Sequence, residues 1–285
     1  MDRWLVFLKE RLPVPVLLLL SFGAGLSCLH LDQKPFQPLF LLLGTLQPGL
    51  FLLTLRLMDE VKDFEKDKQV HPERPLPRGL LSVTEVTRAI YLGLGLMFVV
   101  ALIHGLQGRS LACGLYAFST IYLWLMYKEF FVGTQLEKSP FLYAVTHQVI
   151  MLPLAASIRA MNLSSFSWPE FLSPGLMYLG VFFTFEICRK LDPNAVPLLR
   201  TYRVHYGERT TGLMILFTTA LTLTGTFLLY AGSTWSLTVL IAFALSVPLS
   251  YLLLLHKQYK AIEGLASLSL LVHIWWPYGR ALIGV

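Results

Sequence analysis

Charge is scarce in this chain. Only 14% of its 285 residues are Asp, Glu, Lys or Arg, while 55% are hydrophobic; a soluble domain carries about 25% charged residues. A water-soluble globular fold is excluded, and the chain reads as an integral membrane protein. Cysteine is scarce as well. Cys28, Cys113 and Cys188 are widely spaced, lie in or beside apolar runs and form no CxxC pair, which excludes a zinc ribbon and a disulfide framework. The N-terminus has the positive start of a secretory signal (Arg3, Lys9, Arg11) and an apolar run from Val14. It lacks a small-x-small cleavage site before the next span, so that run is read as a retained helix. No stretch has the composition of a separate soluble domain. The net charge of +6 would suit a nucleic-acid partner, but its concentration between apolar runs points to membrane topology instead, and no nucleic acid is expected.

A bilayer core about 30 Å thick needs about 20 apolar residues per helix. On that measure the sequence predicts an all-α, polytopic membrane protein of nine transmembrane helices. They run from Val14 to Leu31, Leu39 to Met58, Val83 to Gly105, Leu111 to Phe131, Phe141 to Met161, Pro169 to Cys188, Gly212 to Tyr230, Trp235 to Leu255 and Ala261 to Val285. Glu263, His273 and Arg280 interrupt the last. With the spans in this register, 19 of the 23 Lys and Arg residues fall on one side. The positive-inside rule places that side, with the N-terminus and two long loops (about 59–82 and 189–211), in the cytoplasm and the C-terminus opposite. The two loops lie four helices apart, which predicts a single domain over residues 1–285: a pseudo-symmetric bundle whose site lies where the loops meet.

The first loop carries RLMDEVKDFEKDKQVHPERPLPRG, from Arg56 to Gly79. Asp59, Asp63 and Asp67 are spaced by four, so on a helix they form one acidic stripe with Glu60 beside it. Carboxylates stacked this way repel, and a cation is expected among them. Mg²⁺ takes carboxylate oxygens and shares its remaining positions with substrate phosphates. Asp59 and Asp67 stand about 12 Å apart along a helix, so two ions, or a diphosphate bridging several, suit the spacing. The same residues also read as solvated pairs, Asp59 with Lys62 and Asp63 with Lys66.

The second loop reads FEICRKLDPNAVPLLRTYRVHYGERTTG, from Phe185 to Gly212. Glu186, Arg189 and Lys190 end an apolar helix, and Arg200, Tyr202 and Arg203 follow. Charges at bilayer depth cost about 2.5 to 3.5 kcal/mol each on insertion scales, so they face a protein interior or an aqueous cavity. Arg189 and Lys190 read equally as headgroup anchors; an anchor has no need of Glu186. Tyr127, Lys128 and Glu129 end the fourth helix, as an anchor with an adjacent acid or as a contact for diphosphate or acceptor. His147 and His273 read as hydrogen-bonded interior histidines. His71 and His205 have no metal-ligand spacing, and Asn162-Leu-Ser164 is a glycosylation sequon of a kind frequent by chance.

The first stretch resembles the NDxxDxxxD signature of the UbiA-type intramembrane prenyltransferases. Asp59 stands at its Asn, Glu60 at its first Asp, and Asp63 and Asp67 at the others, with HPERPLPRG resembling the segment downstream. The second loop resembles the second signature of that family, through Thr201, Tyr202, Tyr206 and Gly207. The resemblance spans almost the whole chain. It implies transfer of an isoprenoid from a prenyl diphosphate to a small-molecule or lipid acceptor, within the bilayer and with Mg²⁺. It further implies Asp59, Glu60, Asp63, Asp67 and Glu186 as metal ligands, Arg74, Arg78, Lys128, Arg189, Lys190 and Tyr202 as diphosphate contacts, and Asp63, Asp67, Lys128, Arg189 and Lys190 as catalytic. The chain departs from the pattern where the second signature has aspartates four apart: Glu186 is followed at that spacing by Lys190. Arg189 and Lys190 then meet diphosphate oxygens directly.

The commonest acceptor in that family is an aromatic or quinone precursor. Two other classes stand beside the transferase. A cyclase on the same scaffold would ionise the same diphosphate without an acceptor. A transporter would place ionisable groups near the bilayer midplane, whereas here they gather at one face.

Overall fold

The computed structural model describes residues 2–31, 37–162, 167–191, 201–253 and 258–283. Ser164 of the sequon and the middle of the second loop, residues 192–200 with Arg200, lie outside them.

Every regular element among the described residues is helical. In order they are α1 (Arg3–Arg11), α2 (Val14–Leu31), α3 (Pro38–Lys62), α4 (Phe64–Val70), α5 (Val83–Leu106), α6 (Ser110–Tyr127), α7 (Gly133–Leu136), α8 (Pro140–Gln148), α9 (Met151–Arg159), α10 (Trp168–Arg189), α11 (Tyr202–Tyr230), α12 (Thr234–Leu253) and α13 (Tyr259–Ile283). The sequence marks several starts plainly. Ser82 and Glu85 form a reciprocal capping box at α5, which satisfies two end donors. Pro140 begins α8 behind the Ser139 cap, where a missing N–H costs nothing.

Among the described residues, seven helices are long and apolar enough to cross a membrane: Pro38–Lys62, Val83–Leu106, Ser110–Tyr127, Pro140–Arg159, Trp168–Arg189, Tyr202–Tyr230 and Thr234–Leu252. Each of the nine expected spans is largely helical over its described residues, but two fall outside this group. The apolar stretch of α2, Val14–Cys28, is short, and α13 carries Lys260, Glu263 and Arg280. The fifth expected span is two helices, α8 and α9, joined across Val149 and Ile150.

α2, α3, α5, α6, α9, α10, α11, α12 and α13 each pack on the next, and α13 returns to α2, so these helices close a ring. The tightest seam joins α10 to α11. A side chain at Gly180 would lie 2.3 Å from the Thr222 amide nitrogen, and one at Gly225 would lie 2.1 Å from that of Met177. Small residues allow this approach, as in other membrane helix pairs, and Thr184 and Thr218 share a hydrogen bond of 2.8 Å across the seam.

Successive helices around the ring run in opposite directions, α2 and α13 being parallel where the ring closes, so the ends of α3, α6, α10 and α12 gather at one mouth with the starts of α2, α5, α8, α11 and α13. The amphipathic α1 lies there too. Its Arg3, Glu10 and Arg11 pair with Glu85, Arg78 and Glu60, and its Phe7 is fully buried.

Candidate active site

Three helix faces grade from apolar to charged towards the mouth. On α3, Pro48, Leu52, Arg56 and Asp59 follow at helical spacing; on α10, Tyr178, Phe182 and Glu186 do so; on α8 and α9, Leu154, Met151, His147 and Tyr143 do so. The apolar members line a half-open apolar cavity of about 40 Å³, with Leu20, Ala24 and Ile274 completing its wall. Leu52 and Phe182 lie about 10 Å and 6 Å below Asp59 and Glu186 along their helices. An oily chamber therefore sits directly beneath a charged rim.

The two charged constellations meet across this mouth. The Asp59 carboxylate interacts electrostatically with Lys62, Arg56 and Asp63 on its own strand of the site and with Glu186 opposite. Arg189 in turn senses Asp59, and also Glu263 of α13. Glu186 holds both cations of its own helix end, Arg189 at 2.6 Å and Lys190 at 2.5 Å. The Lys190 ammonium lies 5.8 Å from the centre of the Tyr202 ring, and Tyr202 is buried at the start of α11. The half-buried Lys128 caps α6, with its ammonium 4.8 Å from the centre of the Tyr127 ring and no ion pair to the described residues.

Other expected site residues are directed elsewhere. Glu60, expected as a metal ligand, is buried and paired with Arg11 of α1 at 2.8 Å and with Arg56 at 2.5 Å. One residue beyond Asp59, it is turned by about 100° around α3, towards α1 rather than into the chamber. Arg78, expected on diphosphate, grips both oxygens of Glu10 at 2.9 Å. That bond draws the Glu10 carboxyl below the usual carboxylate range and raises the Arg78 guanidinium. Arg74 binds Asp67 at 2.6 Å. The acidic stripe also bends: Asp63 is the junction residue between α3 and α4, so the straight helix assumed for the 12 Å spacing stops there.

These pairings bear on the metal. No three His, Cys, Asp or Glu side chains among the described residues converge to hold an ion. Glu60, Asp67 and Glu186 each carry a guanidinium or ammonium. Asp59 and Asp63 carry no ion pair to the described residues and sit four apart at the mouth. The five expected ligands therefore do not converge on one ion among the described residues, and Asp59 and Asp63 are the two whose carboxylates would be open to Mg²⁺, with its remaining positions left to a diphosphate and water.

One cluster was not legible in the sequence as a site. Lys62 reaches Glu129 in an ion pair, the Tyr143 hydroxyl at 2.7 Å and the His147 Nε2 at 3.4 Å. Tyr143 donates to Glu129 at 2.8 Å. His147 Nδ1 lies 2.7 Å from the Tyr143 carbonyl, so Nδ1 carries the proton and Nε2 faces the cluster. Glu129, Phe130 and Phe131 all have positive φ, at 51°, 51° and 60°. A left-handed run of bulky residues costs about 1–2 kcal/mol per residue and concentrates at functional sites.

Comparison with known proteins agrees with this geometry. The UbiA prenyltransferase family profile matches residues 16–274. The chain belongs to the UbiA prenyltransferase family, and it is a membrane-embedded prenyltransferase. Among solved structures it is similar to one described as a digeranylgeranylglyceryl phosphate synthase in membranes, at 18% identity, with a TM-score of 0.58 and coverage of 97% of this chain and 100% of that one. At that identity the likeness concerns the fold. No curated protein matches.

Proposed function

We propose that this UbiA member transfers an isoprenoid from a prenyl diphosphate to an aromatic or quinone precursor, at the mouth of a single nine-span bundle whose charged end faces the cytoplasm. The observation that carries this is the placement of Asp59, opposite Glu186 and Arg189, directly above an apolar chamber. The diphosphate sits in the charged rim and the isoprenoid tail runs down among Leu52, Met151 and Phe182. Breaking the allylic C–O bond leaves its electron pair on the diphosphate. Arg189, Lys190 and Lys128 stabilise that charge as it develops. Asp59 and Asp63 would hold Mg²⁺, which when bound neutralises the same leaving group. The chamber wall excludes water from the carbocation, and the acceptor takes the prenyl carbon and releases a proton.

Rings at the mouth support a flat acceptor. Tyr143 stacks on His147 at 4.0 Å, and Phe130 meets His147 edge-on at 5.8 Å and Tyr122 at 5.3 Å. The distribution of Lys and Arg supports the sidedness.

The test is incubation of the purified protein with labelled prenyl diphosphate and Mg²⁺, with and without aromatic acceptors. Product that depends on an aromatic acceptor is expected. Hydrocarbon formed without acceptor would mean a cyclase, and no turnover with any acceptor would overturn the reading.

A further inference from the structure

The Lys62 ammonium occupies a position that a bound cation would hold. It is surrounded by a carboxylate (Glu129), a phenol oxygen (Tyr143), the Met126 carbonyl at 3.4 Å and an imidazole nitrogen (His147), and its side chain is only 16% exposed. Its electrostatic neighbours include Asp59 of the first constellation, and those of His147 include Lys190 of the second. The ammonium thus stands between the two halves of the site, one helical turn beyond Asp59. In a solvated i,i+3 pair it would lie on Asp59 and outside the protein; instead it crosses to α6 and α8. Glu129 is aimed at it by the left-handed turn at 129–131.

We propose that Lys62 is a diphosphate-binding residue of this chain, released from Glu129 when the diphosphate enters, and that with Lys190 it gives the site a grip on diphosphate that does not require a metal. This rests on the prenyl-diphosphate reading above. Release of Lys62 leaves the Glu129 carboxylate in need of a new partner, which a proton taken up on His147 Nε2 would supply. Glu129 keeps the Tyr143 hydroxyl on Oε1, and its Oε2, buried and without a hydrogen bond, lies 3.8 Å from His147 Nε2. Lys62 trades one anion for another of higher charge. Two ammonium groups then do part of what carboxylate-bound metal does elsewhere: Lys190 replaces an aspartate in the second signature, while Lys62 adds a cation inside the first. Three of the five expected carboxylate ligands are already neutralised by protein cations, in keeping with a site that depends less on metal.

The experiment measures binding of an unreactive prenyl thiolodiphosphate to the full chain in detergent, by calorimetry, in EDTA and in Mg²⁺. Wild type is expected to bind in both. Lys62→Met is expected to weaken binding in EDTA by about tenfold or more, the worth of one charge-assisted hydrogen bond, and by less in Mg²⁺. Glu129→Gln removes the competing anion and is expected to tighten binding in EDTA several-fold. A merely structural ion pair would make both variants weaker, so the opposite signs are diagnostic even if Lys62→Met folds poorly. Binding that needs Mg²⁺, with both variants matching wild type, overturns this inference and leaves the transferase reading intact. Absence of binding under both conditions overturns both.

Discussion

A single methyl group at Gly225 tests whether the α10–α11 seam positions the site. The added Cβ in Gly225→Ala would lie 2.1 Å from the Met177 amide nitrogen, 2.7 Å from the Met177 Cα and 2.7 Å from the Ser173 carbonyl oxygen. All three are backbone atoms, so no side chain can swing aside. Because non-bonded heavy atoms settle at about 3.5–4.0 Å, the two helices must part by roughly 1 Å or more. Overpacking of this kind costs about 1–3 kcal/mol. Met177 lies nine residues before Glu186, about 13 Å along the helix, so the displacement reaches the rim. A shift of about 1 Å at a reacting centre can cost about a hundredfold in rate. We expect a detergent-phase melting temperature lower by about 5 °C and a much larger loss of prenyl transfer. Melting can be followed by reaction of a thiol dye with Cys28 and Cys188, both buried. Gly264→Ala, where nothing lies within 4 Å, is the control. If Gly225→Ala melts and turns over like wild type, or Gly264→Ala falls as far, the seam does not hold the site.

Arg11→Met is expected to leave Glu60 buried on Arg56 alone and to destabilise by about 2 kcal/mol, less than the ~3–5 kcal/mol of a fully broken buried pair; the thiol melting assay reads this directly. Gly207 has φ 79° and ψ 172°, a conformation essentially restricted to glycine. With no atom near its missing side chain, Gly207→Ala should cost about 1–3 kcal/mol through backbone conformation alone, seen in the same assay. For the Glu10–Arg78 pair, the Glu10 carboxyl is held below its ordinary 4.5 by the Arg78 hydrogen bond. Its contribution to docking α1 is therefore complete above about pH 4.5 and is lost as pH falls through the lowered folded value. A spin label at Leu5, which is exposed, should gain mobility across that acid range, and in Glu10→Gln it should show no such step.

Much of the architecture follows from runs and spacings within single helices. Apolar stretches of bilayer length, a charge surplus confined to one set of connections, and acids four apart at the end of α3 are all local patterns, and they locate the mouth of the bundle. The pairings that the sequence did not reveal share a physical cause. Glu60 and Arg78 have the residue types of the site, but the partners that claim them, Arg11 and Glu10, lie 49 and 68 positions away in sequence. Helical periodicity carries no information about an ion pair between separate helices. The pairing of Lys62 with Glu129 was hidden for the same reason. Read along the chain, Lys62 is a neighbour of Asp59; in three dimensions it reaches across to α6 and α8.

By itself, then, the sequence determined that the chain is a helical membrane protein and which apolar helices end in the two charged constellations, because hydrophobic length and charge sign are properties of each segment alone. Tertiary packing decided which carboxylates stay open and which are neutralised, and it brought Asp59 opposite Glu186 and Lys62 into a cage of four residues. Those outcomes depend on how far apart the ring holds α3, α8 and α10, and no single helix encodes that separation.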